Sequence, residues 1–164
     1  MRFATNAPGN GHQLVENEVR HFINRTGAAL SVGGVYALDL TGSDGDVEAF
    51  ADWTISTHAD SAHPFNNVIA VATAHLAGWI LCVALAPTAN DEWGPMLLSG
   101  MTDVRVADSN TAGAKLTGVN AANNLAAASD GNCTFALLLE TNSSGGTALR
   151  KCLFSGWQLA ESEI

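Results

Sequence analysis

Residues 68–86 read VIAVATAHLAGWILCVALA, and the way this run divides decides the fold. A bilayer span needs about 20 predominantly apolar residues. Here Thr73, His75 and Gly78 interrupt the run, and its many alanines contribute little to insertion. Cut at Leu76-Ala77-Gly78, it becomes two nearly continuous apolar runs, 67–75 and 79–86. Short apolar runs bounded by a turn suit central β-strands covered on both sides. Just upstream, residues 34–40 (GVYALDL) alternate, with Tyr36, Leu38 and Leu40 on one face and Val35, Ala37 and Asp39 on the other.

The same grammar continues on either side. Strands are expected over 19–24 (VRHFIN), 96–106 (MLLSGMTDVRV) and 114–116 (AKL), while 28–32 (AALSV) runs into Gly33-Gly34. In the second of these strands, Val104 and Val106 point inward and Asp103 and Arg105 outward. Residues 87–95 (PTANDEWGP) form a polar loop, and 120–129 (NAANNLAAAS) suit a loop or a short helix. Residues 133–140 and 148–157 make a hairpin around TNSSGG. A helix is expected over 46–56, where Val47, Phe50, Ala51 and Ile55 recur at three- and four-residue spacing behind a possible cap at Asp44 or Asp46. About eight short strands spaced roughly ten residues apart define an all-β fold, a β-sandwich or small β-barrel, with at most one or two short helices. Residues 1–18 lack periodicity and read as an extended N-terminal arm, leaving 19–164 as a single β-rich domain. No internal repeat is visible.

The 164 residues carry 47% hydrophobic and only 14% charged residues, against roughly 25% charged in an ordinary soluble domain. Seven Lys+Arg against sixteen Asp+Glu give a net charge of -9. Dispersed basic residues exclude nucleic-acid binding as a main activity, and the same deficit disfavours an anionic membrane. No secretory h-region is present near the start, so synthesis in the cytoplasm is expected. The sparse charge suits a chain packed against other subunits, with the acidity placed on an outward face. Three cysteines form no CxxC pair. With 133–140 against 147–154, Cys133 would face Phe154 and Cys152 would face Phe135. The two thiols would then sit diagonally, about 7–8 Å apart, which is too far for a disulfide. Three buried thiols are expected.

The search for chemistry yields little. Ser99 lies in no GxSxG elbow, and a tight turn accounts for it. His58 and His63 are the close histidine pair, at a spacing unsuited to a helical zinc site. Asp44-Gly45-Asp46 offers hard oxygens for Ca²⁺, but a turn leading into a helix N-terminus accounts for it equally. Neither a metal nor a cofactor is expected. Of the four tryptophans, Trp79 and Trp157 belong to strands, whereas Trp93 lies in the polar loop as an exposed contact residue. Asn24, Asn132 and Asn142 open N-x-S/T sequons, which matter only in a secreted chain.

The stretches FINRTGAALSVGGVYALDL, NVIAVATAHLAGWILCVALAP, GPMLLSG, VRV, TAGAKL and FALLLE together resemble the capsid-decoration (cement, or head-stabilising) proteins of tailed bacteriophages. The resemblance spans about residues 20–140. It implies a β-rich, non-enzymatic virion protein, often a homotrimer, that sits on the outer capsid and ties capsomers of the major capsid protein together. It also implies an arm that orders on binding, which maps by position onto residues 1–18. The candidate capsid contacts are then Arg2, Phe3, His12, Leu14 and Val15 on the arm, together with Trp93. Two alternatives stand beside this reading: a tail-fibre, spike or other minor virion component, and a carbohydrate-binding β-sandwich module.

Overall fold

The computed structural model describes residues 17–39, 67–72, 80–129 and 133–156. Among them are nine strands and no helix: β1 (Glu18–Asn24), β2 (Val35–Leu38), β3 (Asn67–Ile69), β4 (Leu81–Ala84), β5 (Trp93–Val106), β6 (Lys115–Gly118), β7 (Leu125–Ala127), β8 (Ala136–Leu138) and β9 (Ala148–Ser155). The fold is all-β, as the alternation and the short apolar runs require. The helix expected over 46–56 and the arm residues 1–16 lie outside the described residues.

The strands form one mixed sheet in the order β1-β3-β2-β4-β5-β7-β6-β8-β9, and further pairings β1–β5 and β5–β9 bring this order back on itself. Two closed circuits of five strands result, and they share β5. In the first, β1 and β3 are parallel, while β3–β2, β2–β4, β4–β5 and β5–β1 are antiparallel. In the second, β5 and β7 are parallel, while β7–β6, β6–β8, β8–β9 and β9–β5 are antiparallel. Adding four to each strand number turns the first circuit into the second. The repeat that the sequence does not show is therefore present in the topology. A sequence echo of it is Leu97-Leu98-Ser99-Gly100 in β5 and Leu153-Phe154-Ser155-Gly156 at the end of β9.

Burial follows the pairing. Tyr36, Leu38, Cys82, Ala84, Met96 and Leu98 join Phe22 and Val68 in one core. Val35, Ala37, Leu81, Val83 and Leu97, from the opposite faces of the same strands, join Val104, Leu116, Leu125, Phe135 and Phe154 in the other. β2 and β4 are thus covered on both faces, which explains why they carry apolar residues at both parities.

Three expectations need correction. Residues 120–129, expected as a loop or a short helix, contain the strand β7. Residues 28–32 hold an isolated bridge between Leu30 and Thr88 and then close a turn at two glycines, in which Gly34 N–H donates to Ser31 O. β5 begins at Trp93, inside the expected loop. Pro95 is tolerated because its carbonyl points toward β4, where it accepts from Leu85 N–H, so its missing donor lies past that strand's last residue. The hairpin pairs Ala136 with Phe154 and Leu138 with Cys152, so the expected partners Cys133 and Phe135 are displaced. All three thiols are free, Cys82 and Cys152 buried and Cys133 half-buried.

Candidate interaction face

The midpoint of β5 organises the surface. Ser99, buried within the strand and not in a turn, is paired with Glu18 on one side and Ser155 on the other. Glu18 and Ser155, close to the two ends of the described residues, therefore flank the same residue. Asn17 is anchored there by its amide, whose oxygen accepts from Met101 N–H at 2.8 Å. The bond is possible because Gly100 (φ 134°) has no side chain; a Cβ there would lie 2.0 Å from Asn17 Oδ1. Gly156 is similarly wedged, donating to Leu98 O at 2.6 Å and accepting from Leu81 N–H at 3.0 Å.

At the far end of β5, Trp93 is 48% exposed and pairs with Ile23. The adjoining corner is held by Asn24, fully buried, whose amide donates to Ala28 O and Thr88 O and accepts from the Thr26 N–H and hydroxyl. Arg25 is ion-paired with Asp91 across the same corner. The second circuit has an equivalent corner. There Asn142, also fully buried, donates to Val106 O, Ala107 O and Gly146 O and accepts from the Ser144 N–H and hydroxyl. The sequons at Asn24 and Asn142 are thus internal plugs, while Asn132 lies outside the described residues.

A third feature had no signal in the sequence reading. On the outward face of β5, β9 and β8, Met101 pairs with Leu153, which pairs with Leu137. The next row holds Asp103 opposite Lys151, ion-paired at 2.9 Å, and the last holds Arg105 opposite Leu149. Met101 and Leu149 are each 45% exposed, and Leu139, whose N–H donates to Lys151 O, is 38% exposed. The alternation Leu149, Lys151, Leu153 was the available clue, masked by apolar residues at the intervening inward positions.

Of the candidate contacts, Trp93 is the one within the described residues, exposed at the start of β5. Arg2, Phe3, His12, Leu14 and Val15 lie outside the described residues, as do Asp44, Asp46, His58 and His63. Among the described residues, no group of three or more His, Cys, Asp or Glu is placed to hold a metal ion. Burial pushes the Cys82 thiol up and that of Cys152 up to about 12, so neither is a nucleophile at neutral pH. A cleft of about 360 Å³ beside Tyr36, Val71 and Asn123 is lined largely by alanines and has no charged group in its wall. The described residues hold six of the seven basic and seven of the sixteen acidic side chains, a net of -1; the rest of the -9 belongs to residues outside the described set.

No family model and no curated protein sequence matches this chain. Among solved structures, it is similar to the head fiber gp8.5 N base of bacteriophage phi29, with a TM-score of 0.52 and 11% sequence identity. The match covers 88% of this chain and 100% of that one, so what the two share is the fold of nearly the whole chain.

Proposed function

We propose that this chain is a non-enzymatic structural component of a bacteriophage virion that binds the outer surface of the capsid. The observation that carries the reading is the likeness, over nearly the full chain, to a phage head fiber base. The strand circuits are consistent with it. Closed sheets leave little free edge for strand addition, so partners are met through side-chain faces and rooted segments. In its finer form the chain acts as a homotrimer that bridges capsomers of the major capsid protein. Residues 1–16 and Trp93 supply contacts, and binding stabilises the assembled shell by mass action.

A second reading is favoured by the same neighbour's description: a base that fixes a projection to the head without bridging capsomers. Purified chain added to expanded empty shells separates the two. A cement binds and raises the shell's melting temperature; a projection base binds and leaves it unchanged. Absence of binding to any shell overturns both.

A further inference from the structure

We infer that the two circuits are equivalent units stacked in one chain, and that the outer face of the second is a charged cap that ends the stack. The equivalence holds residue by residue. Leu97 and Leu153 occupy the same place in their Leu-x-Ser-Gly sequences. Leu97 faces Val19 and Val83, and Leu153 faces Met101 and Leu137, so Val19 corresponds to Met101 and Val83 to Leu137. Val83 in turn faces Val35, and Leu137 faces Lys115. One step further, Leu38 faces Val68 as Gly118 faces Leu125. The last pairing closes the circuit: Asn24 faces Val68, and Val106, which corresponds to Asn24, faces Leu125. The isolated bridge Leu30–Thr88 maps in the same register onto Asn110–Asn142. Interiors correspond too. Phe22, Tyr36, Ala84 and Leu98 fill the first circuit, and their counterparts Val104, Leu116, Leu138 and Phe154 fill the second.

The outer faces differ. On the first circuit Val35, Val83 and Leu97 turn away from its own interior and are buried against the core of the second. Their counterparts are Lys115, which is exposed, and Leu137 and Leu153, which are half-buried. Beside them, Arg105 and the Lys151–Asp103 ion pair stand where the first circuit has Ile23, Pro95 and His21. In stacked repeats each unit buries its face against the next, and the terminal one carries a polar outer face. Covering Lys115 with a further apolar sheet would strip its ammonium of water and supply no partner. The charge thus keeps a second copy of this chain from stacking on Leu137 and Leu153.

This inference goes beyond the virion reading and does not depend on it. Its test copies Val35 onto the second circuit. Lys115→Val is expected to associate beyond the wild type's own state, more tightly by about tenfold, in sedimentation equilibrium of the full chain. Its far-UV circular dichroism should match that of the wild type. Lys151→Leu, at a second charge of the same face, should act in the same direction. Arg20→Val removes an equal charge from β1, and Lys115→Arg retains the cap, so both should associate as the wild type does. The inference is overturned if neither Lys115→Val nor Lys151→Leu associates more than the wild type, or if Arg20→Val associates as much as they do.

Discussion

Asn24 and Asn142 make the same hydrogen bonds in two equivalent corners of the molecule. Each sits in an Asn-x-Ser/Thr-Gly sequence, each oxygen accepts from the Ser/Thr two residues on, and each glycine, Gly27 and Gly145, has positive φ. The corners differ in which loop supplies the plug. Asn24 ends β1 and reaches across to Thr88, whereas Asn142 precedes β9 and reaches back to Val106.

Removing either amide leaves several buried backbone groups without partners. Asn24→Ala and Asn142→Ala should each cost about 2–4 kcal/mol, read from urea unfolding. The Asp variants should be at least as destabilised at neutral pH, because a buried carboxylate replaces the donating NH₂. They should recover part of that loss on acidification. Full stability in both Ala variants would remove the plugs from the account of the corners.

Glycine substitutions should sort by what surrounds them. A Cβ on Gly156 would lie 2.1 Å from Leu81 O, a backbone atom that cannot swing aside, so Gly156→Ala should cost several kcal/mol or abolish folding. Gly27 has φ 79° but open space around it, so Gly27→Ala should cost only about 1 kcal/mol. Thermal melts of the two variants give the order directly.

Thiol accessibility gives a third check. Cys133 should react first with an aromatic disulfide reagent, while Cys82 and Cys152 should react only on unfolding. Their folded-state values lie above the unfolded one of about 9, so the unfolded chain loses these protons first as pH rises. Their contribution to stability is therefore complete below about pH 9 and declines from there toward pH 12. Stability that rises over that interval would contradict the burial described.

Trp93→Ala removes an exposed ring, so its unfolding free energy should shift by no more than about 0.5–1 kcal/mol. Shell binding should fall at least tenfold, measured by co-sedimentation. Deleting residues 1–16 while keeping Asn17 should weaken shell binding with the strand circuits preserved, as followed by far-UV circular dichroism.

The two-sided strands were legible because β2 and β4 carry apolar residues at every position, and the inward Val104 and Val106 were legible by alternation. The hairpin register was not. It is set by Asn142 plugging a corner made partly by Val106 and Ala107, a tertiary contact with no local signature. The topological repeat left only four-residue echoes, Leu-x-Ser-Gly and Asn-x-Ser/Thr-Gly, since strand order needs no shared side chains. The sequons were read for glycosylation, although their recurrence with a following glycine was the visible trace of the plugs. The exposure of Trp93 was legible from its polar neighbours, although it begins a strand and not a loop; the exposed Met101 and Leu149 were hidden among equally apolar core residues.

β5 runs unbroken from one circuit into the other, its first half closing the first and its second half closing the second, and a cut at its midpoint would split the core that joins Val83 to Phe154. The two halves, alike in design, should therefore melt in a single cooperative transition, and neither should be recoverable as a separately folding fragment.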